Sequence, residues 1–140
     1  MDELKALILV VDDNPGVRAV IRRALTEVGH EVVLAVDGAA GLQTYYELAT
    51  QHAPDLAIVD RFMPEMDGIQ LVRQFHTVAP TMPVLLMSGD PTWPLGDAMA
   101  GLGPDDVLAK PFHPDALVSA VASALARAAP PDRRQDSGAC

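Results

Sequence analysis

The sequence predicts an α/β domain: a doubly wound, five-stranded parallel sheet with five helices. Two observations carry that prediction. Apolar runs of strand length alternate five times with longer stretches of helical period, the pattern of a parallel sheet covered by helices on both faces. Four of those runs also end in polar groups, namely Asp12-Asp13, Asp60, Ser88-Gly89 and Lys110. Open α/β sheets bind ligands at the C-terminal ends of their strands.

Taken in order, the first strand spans about Ala6 to Val11. A helix follows with Asn14 or Asp13 as N-cap and Pro15 in its first turn. Val17, Val20, Ile21, Leu25 and Val28 fall on one helical face, and Gly29 stops the helix. The second strand covers Glu31 to Val36 and closes on the turn Asp37-Gly38, with a second helix from about Ala39 to Gln51. Pro54-Asp55 precedes the third strand, Leu56 to Asp60. A loop through Asp67-Gly68, in which Gly68 is expected to supply a positive φ, leads to a helix carrying Ile69, Leu71, Val72 and Phe75. Pro83 introduces the fourth strand, from Val84 to Met87. A fourth helix is expected within 92–102, its start delayed by Pro91 and Pro94. Val107-Leu108-Ala109 forms the fifth strand, and Pro114 opens a fifth helix with Leu117, Val118, Val121 and Leu125 inward. Residues 1–129 then make the domain. Residues 130–140, Pro-rich and polar, make a disordered tail or the start of a linker.

Composition narrows the function. The 140 residues hold one ordinary core, 49% apolar but only 4% aromatic, so Val, Leu, Ile, Ala and Met must fill it. Ten basic residues against 19 acidic give a net charge of -9. That disfavours sequence-independent binding to nucleic acid and to anionic membrane surfaces. A single cysteine, Cys140, allows no internal disulfide. The charged start and strand-length first run fit neither a signal peptide nor a membrane span, so cytoplasmic residence is expected. His30, His52, His76 and His113 show no ligand spacing and read as surface or strand-end residues.

Asp12-Asp13, Asp60 with Met63-Pro64-Glu65-Met66-Asp67-Gly68, Ser88-Gly89 and Lys110-Pro111-Phe112 occur in this order, each at a strand end. The chain resembles the receiver domain of two-component response regulators from residue 5 to about 128, in the single-domain, chemotaxis-regulator-like form. The interval from Asp13 to Asp60 is longer than the family's, and the surplus falls around Thr44 to His52. Each motif alone has a plainer reading: Asp12-Asp13 as a helix cap, Ser88 as a turn residue, Lys110 as a solvated lysine. It is the set, in order, that is specific.

The resemblance implies the flavodoxin-like strand order 2-1-3-4-5 and a phosphoacceptor signalling domain that catalyses at most its own phosphorylation and dephosphorylation. Asp60 would be the nucleophile, forming an acyl phosphate. Ser88 and Lys110 would act on the phosphoryl group, with Arg61 and Gly89 as further phosphate-binding positions. Asp12, Asp13, Asp60 and the backbone carbonyl of Phe62 would hold Mg²⁺, because crowded carboxylates need a hard cation among them. The donor would be a phosphohistidine on a histidine kinase or phosphotransfer protein. The response would run through the face made by the fourth helix, fifth strand and fifth helix to a downstream protein target. One departure stands out: three residues before Lys110, where the family usually carries Tyr or Phe as a switch, stands Val107, which has no ring to swing and is stiff at χ1. Three other readings remain. A receiver-shaped adaptor could work without phosphorylation, and these residues could be the N-terminal part of a longer regulator. A phosphatase with an Asp nucleophile needs a second Asp two residues on, and Phe62 stands there.

Overall fold

The computed structural model describes residues 5–63, 65–89 and 107–128. Five strands, β1 (Leu7–Val11), β2 (Glu31–Ala35), β3 (Leu56–Asp60), β4 (Val84–Ser88) and β5 (Val107–Ala109), form one sheet in the order β2-β1-β3-β4-β5. Every neighbouring pair is parallel, as the alternation of strands and helices requires. Among the described residues there are four helices: α1 (Pro15–Glu27), α2 (Gly38–Ala49), α3 (Gly68–Val78) and α4 (Pro114–Ala128). The helix expected within 92–102 and the tail at 130–140 lie outside the described residues.

Successive strand residues point to opposite faces, and each face buries its own cluster. Leu9, Val11, Val59 and Leu86 pack with Leu71, Val72 and Phe75 of α3 and Tyr45 of α2. Ile8, Val10, Ile58 and Leu85 pack with Ile21 and Leu25 of α1 and Leu117 and Val121 of α4. β3 and β4 are buried along their whole length. This two-sided burial is what makes the C-terminal edge of the sheet a rigid mount for side chains.

Local chemistry sets the helix ends. Asn14, not Asp13, caps α1, its side chain accepting from Val17 N at 3.0 Å, and Pro15 holds the first turn. Gly29 ends α1 with φ 102°. Its N–H donates to Thr26 O at 3.0 Å and the His30 N–H to Leu25 O at 3.1 Å, the paired bonds of a Schellman stop. Asp37 caps α2. Asp67 and Gln70 form a capping box on α3, so Asp67 does more than make a turn.

Of the two roles expected of His30, surface or strand end, it takes the second. It leads into β2 and is buried, and its Nδ1 accepts the Ala6 N–H at 3.0 Å. Burial lowers its pKa below the ordinary 6.5, with Asp55 pulling the other way. The unfolded chain therefore takes up a proton near pH 6.5 that the fold resists. Stability is full above that pH and falls as pH drops through 6.5 toward the lowered native value. Urea midpoints measured from pH 7.5 down to 5.5 should fall for the wild type. They should fall less for His30→Gln, which keeps an acceptor for Ala6 but does not titrate; equal slopes would place the titrating group elsewhere.

Candidate functional site

Strand register brings the polar ends together. Val11 lies beside Val59, so Asp12 and Asp60 end adjacent strands. Asp60 lies beside Met87, and Ser88 beside Ala109. The backbone just past the strands is pinned as well: Asp12 N donates to Ala35 O at 3.2 Å, Arg61 N to Met87 O at 2.8 Å, and Lys110 N to Ser88 O at 2.8 Å. Residues scattered across the sequence thus share one rigid edge.

There one carboxylate oxygen from each of Asp12, Asp13 and Asp60 lies within 4.8 Å of the others. Asp12 is fully buried, Asp60 is 6% exposed, and Asp13 faces solvent. Lys110 Nζ reaches Asp60 Oδ1 at 2.9 Å and Asp12 Oδ2 at 3.3 Å. The other Asp12 oxygen accepts the Asn14 N–H at 2.8 Å, and the Asp12 carbonyl accepts from Arg18 Nη1 at 2.8 Å. The Lys110 ammonium bridges two of the three carboxylates. Burial pushes the Asp60 carboxyl up from its ordinary value; its hydrogen bond to Lys110 opposes this, and the charges of Asp12 and Asp13 add to it. For Lys110, burial works to lower the pKa, but the bond to Asp60 and the two acids outweigh it, and the ammonium is held above its ordinary value. The Asp60 shift is chiefly the cost of burying its charge, and the Lys110 shift reflects the two acids held against the ammonium. A hard cation with oxygen ligands suits such a cluster of carboxylates, and these oxygens are close enough to share one.

The loop after Asp60 is seated by close packing. Gly68 donates its N–H to Arg61 O at 2.7 Å. A Cβ there would collide with the Asp60 carbonyl oxygen and lie 2.7 Å from Arg61 Cα. Glycine is required for this approach, and the positive φ expected of it belongs instead to Glu65, at 70°. Met63 is buried in the core, and Met66 packs over Gly38 at the start of α2. Phe62 is 59% exposed beside the pocket.

The structure therefore brings Asp12, Asp13, Asp60 and Lys110 into contact. It places Ser88 at the same edge, 2% exposed, and Gly89 next to it with open space where a side chain would stand. Arg61 is different. Its amide is committed to Met87, and its side chain is buried, with the guanidinium 5.0 Å from the Phe62 ring centre. Val107 begins β5 beside Leu86 and is half-buried. Sequence reading missed Arg18, whose bond to the Asp12 carbonyl has no signal in periodicity, and the clearance that Gly68 provides.

Fold and site together define an α/β domain with a cation-ready acidic pocket at its strand ends. Residues 8–122 match the family described as the response regulator receiver domain. Among curated relatives, response regulator MprA of Mycolicibacterium vanbaalenii is 35% identical over 94% of this chain and 55% of its own length. The transcriptional regulatory protein GlrR of Escherichia coli is 37% identical over 93% of this chain and 28% of its own. The chain thus spans about half the length, or less, of the curated relatives it matches. Among solved structures, NtrX from Brucella abortus superposes with a TM-score of 0.79 at 28% identity, covering 96% of this chain and 29% of NtrX. A response regulator receiver domain protein from Clostridium thermocellum does so with 0.76 at 28% identity, covering 87% and 95%. The chain belongs to the response regulator receiver domain family, the signalling domain of two-component systems.

Two outcomes follow from this packing. Gly68→Ala should cost about 2–3 kcal/mol in chemical denaturation and shift the amide resonances of Asp60 and Arg61; an unperturbed variant would show that the loop yields freely. Lys110→Met removes the hydrogen bond that draws the Asp60 pKa down, so NMR titration should find that carboxyl higher than in the wild type.

Proposed function

We propose that Asp60 is the phosphoacceptor of this receiver domain. The observation that supports it is the Asp60 carboxylate, nearly buried at a strand end, 2.9 Å from Lys110 and grouped with Asp12 and Asp13. Asp60 Oδ attacks the phosphorus of a phosphohistidine; the O–P bond forms as the donor's P–N bond breaks, and the imidazole leaves with its electron pair. Lys110 Nζ moves from carboxylate to phosphoryl oxygen as a compact point charge. Ser88, one strand over, supplies a hydroxyl to the same group, and Gly89 leaves room for it. Asp12, Asp13, Asp60 and the Phe62 carbonyl hold Mg²⁺, which neutralises carboxylate and phosphoryl charge when bound.

The donor is a histidine kinase or phosphotransfer protein. A groove of about 620 Å³ opens beside Lys110, lined chiefly by Val17, Val20, Pro111 and Phe112, and gives such a donor an apolar seat next to the nucleophile. Val107 carries no switching ring, so the response passes to the downstream target through an altered form of the face that β5 makes with α4. On this reading the chain works in the cytoplasm and turns over no substrate besides its own phosphoryl group. Among the described residues no helix is long and apolar enough to cross a membrane.

Intact mass after incubation with Mg²⁺ and a small-molecule phosphodonor should rise by one phosphoryl group in the wild type and stay unchanged in Asp60→Asn. A labelled Asp60→Asn would move the nucleophile elsewhere. Millimolar Mg²⁺ should raise the melting temperature, since it binds only the folded pocket, and Asp12→Ala should abolish that rise.

A further inference from the structure

A second feature of the surface stands apart from the phosphoacceptor pocket, and it is cationic. The chain is acidic overall, yet Arg18, Arg22 and Arg23 stand together on α1. With Thr26 and Leu34 they line a groove of about 450 Å³ between α1 and β2. Arg23 is offset by Glu27 at 3.2 Å. Arg18 gives one N–H to the Asp12 carbonyl and keeps its other donors. Among the described residues Arg22 has no acidic partner. Solvated arginines need no explanation singly, but three beside a groove set up a local field opposite in sign to the rest of the molecule.

The other wall of the groove is a sheet edge. β2 is the outermost strand, and among the described residues nothing pairs with its outer side. Glu31 N donates to Ala6 O and Ala35 O accepts from Asp12 N, so these backbone groups turn inward toward β1. By alternation, Val32 and Leu34 turn their N–H and C=O groups outward. The spacing also matches. Arg18 and Arg22, one turn apart, are about 6 Å apart along α1, and alternate side chains of an extended strand recur at about 6.6 Å.

We propose that this groove docks an extended, acid-rich segment of a partner protein. The segment would add to the outer edge of β2 through Val32 and Leu34 and set alternate carboxylates against Arg18 and Arg22, with Arg23 beside them. Duplex nucleic acid and anionic bilayers fit poorly. Three arginines neutralise few phosphates, and the net charge of -9 repels both. The proposal does not depend on phosphorylation at Asp60, so either can fail alone.

The test uses the isotope-labelled full chain and a synthetic octapeptide alternating valine with glutamate, followed by NMR. Saturable shifts of the Val32 and Leu34 amides and along α1 are expected. Arg22→Glu should weaken binding by about tenfold or more with an unchanged melting temperature, and Arg22→Gln should weaken it less. A lysine-for-glutamate peptide should not bind. The proposal is overturned by absence of saturable shifts at millimolar peptide, or by equal binding to Arg22→Glu. Self-association of the chain that Arg22→Glu abolishes would give the groove to a second copy and overturn it as well.

Discussion

Three carboxylates share the C-terminal edge of the sheet with a single ammonium, and the rest of the structure holds that imbalance in place. Left to itself, a buried, under-neutralised acid cluster would open toward water, because desolvating a charge costs several kcal/mol. It stays closed because β1, β3 and β4 are buried on both faces and cannot give way without exposing the core. The sheet's apolar packing thus stabilises a site that electrostatics alone would disperse. Burial raises the Asp60 carboxyl, with the charges of Asp12 and Asp13 adding to it, and the neighbouring acids hold the Lys110 ammonium above its ordinary value.

The loop beyond Asp60 shows the same economy. Its course is set by what cannot fit: no side chain at Gly68, where the Asp60 carbonyl sits, and none at Gly38, where Met66 packs. Arg61, the residue after Asp60, is drawn inward, with its guanidinium near the Phe62 ring. Strand alternation accounts for this. Arg61 has the parity of Ala57 and Val59, which face the α2–α3 cluster, whereas Lys110, at the end of β5 two strands from β3, reaches Asp60 with its side chain.

Helix α1 serves both the acidic pocket and the surface around it. Its N-terminus positions Asp12 through Asn14 and Arg18. Its two flanks differ in kind: Val17 and Val20 face an apolar groove with Phe112, while Arg18 and Arg22 face β2. A helix of a little more than three turns can therefore hold the pocket and present two chemically distinct surfaces.

The sequence by itself determined the strand and helix alternation, the parallel sheet, the helix start near Asn14 and Pro15, the stop at Gly29 and the acid-hydroxyl-lysine series at the strand ends. These depend on periodicity and on chain-local chemistry, both written in consecutive residues. Only the tertiary structure decided the rest: that His30 is buried against Ala6, that Arg18 holds the Asp12 carbonyl, that Arg61 turns inward and that Gly68 is needed for clearance and not for its φ. Each of these depends on which backbone or side chain arrives from another element. Residue spacing along the chain does not encode that proximity; strand register and packing across the sheet create it.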